Sequence, residues 1–168
     1  QTQDDYEAQS AKTKAAYLRH LADRGMTNCN VWTRWEGANS VFGDNSMWFG
    51  IEVLDTNASD ITPLKGLEFN LVNINGTQVA DLAPLTGMRL LLLRAANTKV
   101  SDLSTLKDVQ FTSLVLCGSP VADLAPLAGR QLDILDIDKT AVTNLESLRE
   151  VSLNAIRLQD TGVSSLEP

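Results

Sequence analysis

Histidine is nearly missing from this chain: His20 is the only one among 168 residues, and the cysteines are only Cys29 and Cys117. One imidazole and two distant thiols do not fill a zinc shell. A nucleophile pair built on Cys29 has no third group to orient it. Two cysteines also fall short of a secreted disulfide scaffold, so both are expected to be free thiols. No glycine-rich phosphate loop occurs, and no apolar run approaches the roughly 20 residues of a membrane span. Bases are in deficit, with 14 Lys and Arg against 21 Asp and Glu and a formal net charge of −7. Residues 1–45 are nearly balanced, with six acids and five bases, so the excess acid lies in residues 46–168. That distribution lacks the basic patch that nucleic acid or an anionic membrane surface requires. No cofactor or metal is expected. The chain begins with Gln1 rather than Met. A removed leader would account for that and suggests a secreted or periplasmic protein. Trimming would look the same and leaves a cytoplasmic location open.

What the chain does have is repetition. "VADLAPLTG" at Val79–Gly87 returns as "VADLAPLAG" at Val121–Gly129. The aspartates Asp60, Asp81, Asp102 and Asp123 are spaced by 21 residues. The same register aligns Thr56, Thr77, Thr98, Ser119, Thr140 and Thr161, and behind them Ala58, Val79, Val100, Val121, Val142 and Val163. Upstream lie two apolar columns, Ile51, Val72, Leu93, Leu114, Leu135, Ile156 and Val53, Ile74, Ala95, Leu116, Ile137, Leu158. A third column precedes them: Trp48, Phe69, Leu90, Phe111, Leu132, Leu153. Self-similarity this deep marks a solenoid of about six units over residues 46–168, the last one incomplete.

Each unit reads physically. The alternating pair, such as Leu114 and Leu116, predicts a short strand with one buried face. The hydroxyl column falls where the chain leaves the strand; it can satisfy backbone groups there and, on stacking, form a ladder. The Asp of "DLAPL" sits where a helix cap belongs, and the following Pro falls in the first turn, where a missing N–H is harmless. The pattern therefore predicts a capped helical or 3-10 turn opposite each strand. The unit from Arg130 departs from this, reading "NLESL" without Asp or Pro.

This pattern resembles the short bacterial leucine-rich repeat of the internalin-like type, with its T-x-V-x-D-L-x-P-L phrase. The resemblance covers residues from about 46 to 168. It implies an α/β solenoid: a right-handed arc with a parallel concave sheet, short turns on the convex side, and a protein-binding role without catalytic residues.

Residues 1–45 do not fit the repeat. "DDYEAQSAKTKAAYLRHLADRG" predicts one helix, opened by Asp4 and Asp5 and stopped at Gly25. Tyr6, Ala15, Tyr17, Leu18 and Leu21 supply a loose apolar stripe, and His20 reads as a solvated surface residue. With the Trp-rich stretch that follows, this region is expected to cap the first coil. Trp32 and Trp35 are secondary candidates for gripping a partner. At the other end, the strand edge near Pro168 could pair with a second copy, giving a homodimer.

The residues flanking the buried strand positions should point outward. They form the columns Gly50, Leu71, Leu92, Ser113, Ile134, Ala155; Glu52, Asn73, Arg94, Val115, Asp136, Arg157; and Leu54, Asn75, Ala96, Cys117, Asp138, Gln159. Leu71, Leu92, Val115 and Ile134 make an apolar strip rimmed by Arg94, Asp136, Asp138 and Arg157, the anatomy of an interaction patch. With Asn73 and Cys117 these are the candidate partner-binding residues. Asp136 and Asp138 could bind a cation or serve a hydrolase as a carboxylate pair, but an ion pair with Arg157 on the next rung is the stronger expectation. The sequons at Asn57 and Asn75 read as incidental. The expected function is non-enzymatic binding of a protein partner, as a surface recognition protein or a neutraliser of a cognate protein, the acidic balance suiting a basic target. The alternative is a structural spacer that stacks end to end; a hydrolase ranks last.

Overall fold

A computed structural model describes residues 3–35 and 47–164. The chain opens with helix α1 (Gln3–Ala22) and strand β1 (Cys29–Trp35), followed by β2 (Met47–Val53), β3 (Leu71–Asn73), β4 (Leu92–Arg94), β5 (Ser113–Val115), β6 (Gln131–Asp136) and β7 (Ser152–Arg157). Five 3-10 turns, the first at Thr62–Leu64 and the last at Glu146–Leu148, alternate with the strands from β2 onward. The seven strands form one sheet in sequence order. The result is an α/β fold.

From β2 to β7 every pairing is parallel, and each residue lies opposite the one 21 positions later, as in Val72 to Leu93 and Leu93 to Leu114. The expected period is therefore the pairing register of the sheet. One sheet face and the 3-10 turns enclose the core, in which Val72, Leu93, Leu114 and Leu135 are fully buried along one column, and Leu64, Leu85, Leu106 and Leu127 along another. A three-residue strand cannot bury a leucine alone; its neighbours supply the contacts.

The turns are built as the residue types dictate. Asp60, Asp81, Asp102 and Asp123 each accept a backbone N–H two residues on, from Thr62, Ala83, Ser104 and Ala125, at 2.7 to 2.8 Å. In the unit lacking Asp, Asn144 does the same for Glu146 at 3.3 Å. Thr77, Thr98 and Thr140 are buried and donate to the carbonyls of Ile74, Ala95 and Ile137, three residues back, at 2.7 to 2.8 Å. The expected hydroxyl ladder is mostly local: only Thr98 and Ser119 join across rungs, at 3.0 Å, and Thr56 is exposed. Ser119 departs from the local pattern, its Oγ donating to the Ala95 carbonyl of the preceding rung at 2.7 Å. After each of β3 to β7 comes a left-handed residue: Gly76, Asn97, Gly118, Lys139 and Asp160 all have positive φ, at the same spacing.

Arg130 stands in the column of Leu67, Met88 and Val109, which are buried. It keeps the place by donating to the carbonyls of Val109, at 3.0 Å, and Leu106, and by stacking its guanidinium 4.6 Å from the Phe111 ring centre. Its desolvation lowers the guanidinium pKa.

The amino-terminal region closes the first rung. Helix α1 ends with Gly25 at φ 83, the Gly25 N–H bonded to Ala22 and the Met26 N–H bonded to Leu21. This is a Schellman stop, and Met26 and Leu21 are both buried beside it. The face turned inward differs from the expected stripe. Ala15 and Leu18 are exposed, while Ser10 and Leu21 are buried and Tyr6, Thr13, Tyr17 and His20 half-buried. Positions 10, 13, 17 and 21 follow helical spacing, and two polar residues occupy it. His20 is not merely solvated: its Nε2 lies 3.1 Å from the Pro63 carbonyl, which can only accept, so Nε2 donates. The Tyr17 ring meets Phe49 and Phe69 at 5.5 and 5.1 Å, and its hydroxyl accepts the Glu68 N–H at 3.2 Å.

Two predictions test this construction. Gly118→Ala should destabilise by more than about 1 kcal/mol, the left-handed penalty of an L-residue. A Cβ there would also sit 2.2 Å from Asn97 Oδ1. Lys139→Gly should stabilise by roughly 0.5–1 kcal/mol, the relief of that penalty less the entropy of glycine. Urea unfolding of both variants is the measurement. The second concerns pH. Hydrogen bonds from the side chain and backbone of Thr62 hold the Asp60 carboxyl below the usual range, and those from the backbone and side chain of Ser104 do so for Asp102. A folded value below the unfolded one gives stability that is complete above the usual carboxylate range, near 4, and is lost as pH falls through the folded value. Asp102→Ala should lower the melting temperature at pH 6 more than at pH 3.

Candidate functional site

The sheet face turned away from the 3-10 turns, here the outer face, carries the first two outward columns. Leu71, Asn73, Leu92, Val115 and Asp136 are half-buried there, while Arg94, Ile134 and Arg157 are exposed, Ile134 to 44%. Parallel pairing sets Leu71 beside Leu92 and Ser113 beside Ile134. Arg94 lies between Asn73 and Val115. The expected strip is thus assembled, with Ser113 interrupting it.

The third column is an outward surface only at its ends, where Leu54 and Gln159 are exposed; the residues between are buried or half-buried. Ala96 is buried, and Asn75 Oδ1 accepts the Ala96 N–H at 2.8 Å. Asp138 Oδ1 accepts the Gln159 N–H at 2.6 Å, and Asp136 Oδ1 accepts the Asp138 N–H at 3.1 Å. Asp136 thus holds the backbone where the chain leaves β6, and Asp138 holds it where the chain leaves β7. Asp136 stands opposite Arg157 across β6 and β7, yet the two make no ion pair among the described residues, in contrast to the expectation. The backbone N–H is closer than the guanidinium on its flexible stem. Among the described residues no group of three or more potential metal ligands occurs.

Cys117 and Cys29 are free and half-buried. Burial raises both thiol pKa values, and for Cys117 the nearby charges of Asp136 and Asp138 add to the rise. Thiols shifted this way are poor nucleophiles. Cys29 lies on the core side of β1, and His20 is turned to Pro63.

The first rung departs from the repeat, and this shapes the site. β1 runs antiparallel to β2, pairing Trp32 with Gly50, Val31 with Ile51 and Arg34 with Trp48. Val31 and Ile51 are buried in the core, so the alternate residues Trp32, Gly50 and Trp48 share the outer face. Trp48, expected at the head of a core column, is buried, but Phe49 is the residue that packs against the core cluster. The antiparallel pairing forces strict alternation through β2, so the core position shifts by one residue. The Trp32 indole lies directly on Gly50, where a Cβ would be 2.1 Å from the ring. The secondary candidate Trp32 thereby joins the primary strip. Trp35 ends β1, and its side chain lies outside the described residues, as do residues 36–46 and 165–168, including the expected carboxyl-terminal edge at Pro168.

Together Trp32, Ile51, Glu52, Leu71, Asn73, Leu92 and Arg94 line a shallow depression of about 270 Å³ on the outer face. Asn73 is fixed at both ends: Nδ2 donates to Glu52 Oε1 and Oδ1 accepts the Asn75 N–H, each at 3.0 Å. The site offers an aromatic wall, an apolar floor and a rigid polar rim. Among its lining residues no nucleophile and base are in contact. No helix among the described residues is long and apolar enough to cross a membrane.

Sequence reasoning located the strip but missed that Trp32 completes it. The available signal was Gly50, the one residue without a side chain in a column of Leu71 and Leu92. No family model and no curated protein sequence matches the chain.

Gly50→Ala should dislodge the Trp32 ring while leaving the repeats intact. The expected result is a large shift of the Trp32 indole N–H resonance, with backbone resonances from β5 onward unmoved. Unmoved Trp32 signals would contradict the packing.

Proposed function

We propose that this chain is a non-enzymatic binding module that engages a protein partner on the outer sheet face. The single observation carrying the reading is the half-exposed apolar surface of Trp32, Leu71, Leu92 and Val115, continued by exposed Ile134, beside the fixed Glu52–Asn73 pair. An apolar centre with a polar rim and an aromatic anchor is how protein interfaces are built. The 21-residue register, the stacked core and the alternation of short strands with 3-10 turns support reading residues 46–168 as a leucine-rich-repeat solenoid, whose concave side would be this face. Recognition at a surface or neutralisation of a cognate protein both fit this role. A secreted or periplasmic setting is part of the same proposal.

A second reading, association between copies, draws on β7. Its far edge is unpaired among the described residues, and Ile156, of a column buried elsewhere, is 37% exposed. Open strand edges invite pairing.

Leu92→Asp combined with Val115→Asp discriminates the two. Partner binding should weaken at least about 30-fold, as for loss of a hot spot of about 2 kcal/mol. Self-association should be unchanged. The measurement is affinity capture from the source organism with both baits verified by circular dichroism. Identical recovery by both baits would refute the outer face as the binding site.

A further inference from the structure

The outer-face depression is lined by two charged residues: Glu52, held by the Asn73 amide, and Arg94, which no side chain among the described residues holds. Arg94 is exposed on β4, and among the described residues its guanidinium has no carboxylate partner. Glu52 is two strands away, about 10 Å by strand spacing. Its carboxylate is held by Asn73, which is itself held by the Asn75 N–H. Asp136 is two strands away on the other side and accepts the Asp138 N–H. These two acids are therefore anchored to the backbone or to a fixed amide, and Arg94 lines the depression with Leu71 and Leu92 and pairs with Val115 on the next strand.

The charge of the whole chain does not describe this face. The acidic column Asp60, Asp81, Asp102 and Asp123 is exposed ahead of the 3-10 turns, away from the outer face. In the two outward columns the acids are Glu52 and Asp136, balanced by Arg94 and Arg157. The acidic balance is thus not a reason to expect a basic target here.

An unpaired guanidinium beside an apolar floor and an indole wall selects a ligand that joins an apolar group to a carboxylate. We propose that the depression is an anchor subsite for a partner segment in which a leucine- or phenylalanine-sized side chain is followed, within two residues, by Asp or Glu. The apolar side chain rests on Leu71 and Leu92 against Trp32, and the acidic side chain pairs with Arg94. Leu92 and Arg94 are two strand positions apart, about 6.7 Å, which neighbouring side chains of an extended segment span. This deepens the protein-binding reading of the outer face and rests on it.

The test is selection of a random twelve-residue peptide library displayed on phage against the full chain, with counter-screening on Leu92→Asp and Arg94→Gln. Nuclear magnetic resonance spectra verify that both variants fold. The expected consensus is Leu or Phe followed within two positions by Asp or Glu. A synthetic amidated peptide of that consensus should bind about two- to five-fold more weakly when its acid is changed to Gln, the range of an exposed ion pair. Arg94→Gln should cause the same loss, and the two changes together should cost no more than either alone. A Leu92-dependent consensus with a neutral or basic residue beside the apolar one overturns the Arg94 assignment while the outer-face reading stands. Clones that bind Leu92→Asp as well as wild type, or no enrichment at all, overturn the subsite; the capture experiment above decides the face separately.

Discussion

The structure depends on one constraint: three residues of strand cannot bury their own leucines. Val72, Leu93, Leu114 and Leu135 are fully buried only because each is stacked on its counterpart 21 residues away. That pairing fixes the register, and the register fixes which side chains leave the core. Because a slip of one residue would exchange the two faces, the core itself enforces the pattern of the outer face. The buried hydroxyls and the left-handed residues serve the same end, since each coil must turn off the sheet without leaving a backbone group unpaired.

The amino-terminal region makes the site more than a repeated surface. β1 covers the first rung with an antiparallel strand, and strict alternation through β2 turns Trp32 and Trp48 to the outer face. Gly50 then makes room for an indole where later rungs place leucine. An amino-terminal region that packs on its core side, through Val31, Leu21 and Tyr17, thus places an indole on the outer face with its other side.

Much of this was legible in the sequence. The period, the strand positions, the Asp turns and the Gly25 stop are local signals repeated often enough to outweigh noise. Asn144 shows the limit: its substitution for Asp looked like a loss, yet an amide oxygen accepts the same N–H. The helix face was misread because Ser10 and Thr13 lie inward while Leu18 lies outward, and only tertiary contacts with the first rung decide that. The third outward column departs from expectation in its middle because Asn75 and Asp138 are drawn to backbone N–H groups of the next rung, an interaction that needs stacking to exist. The placement of Trp32 depended on a strand reversal that no repeat column announces.

The central claim is that the outer face, and not the acidic turn side, meets the partner. A photo-reactive amino acid placed at Leu92, on the outer face, and in a second protein at Ser101, exposed on the turn side, tests this directly in extracts of the source organism. The account predicts one discrete covalent adduct from position 92 and none from position 101. An adduct formed from position 101 alone, or the same adducts from both, would contradict it.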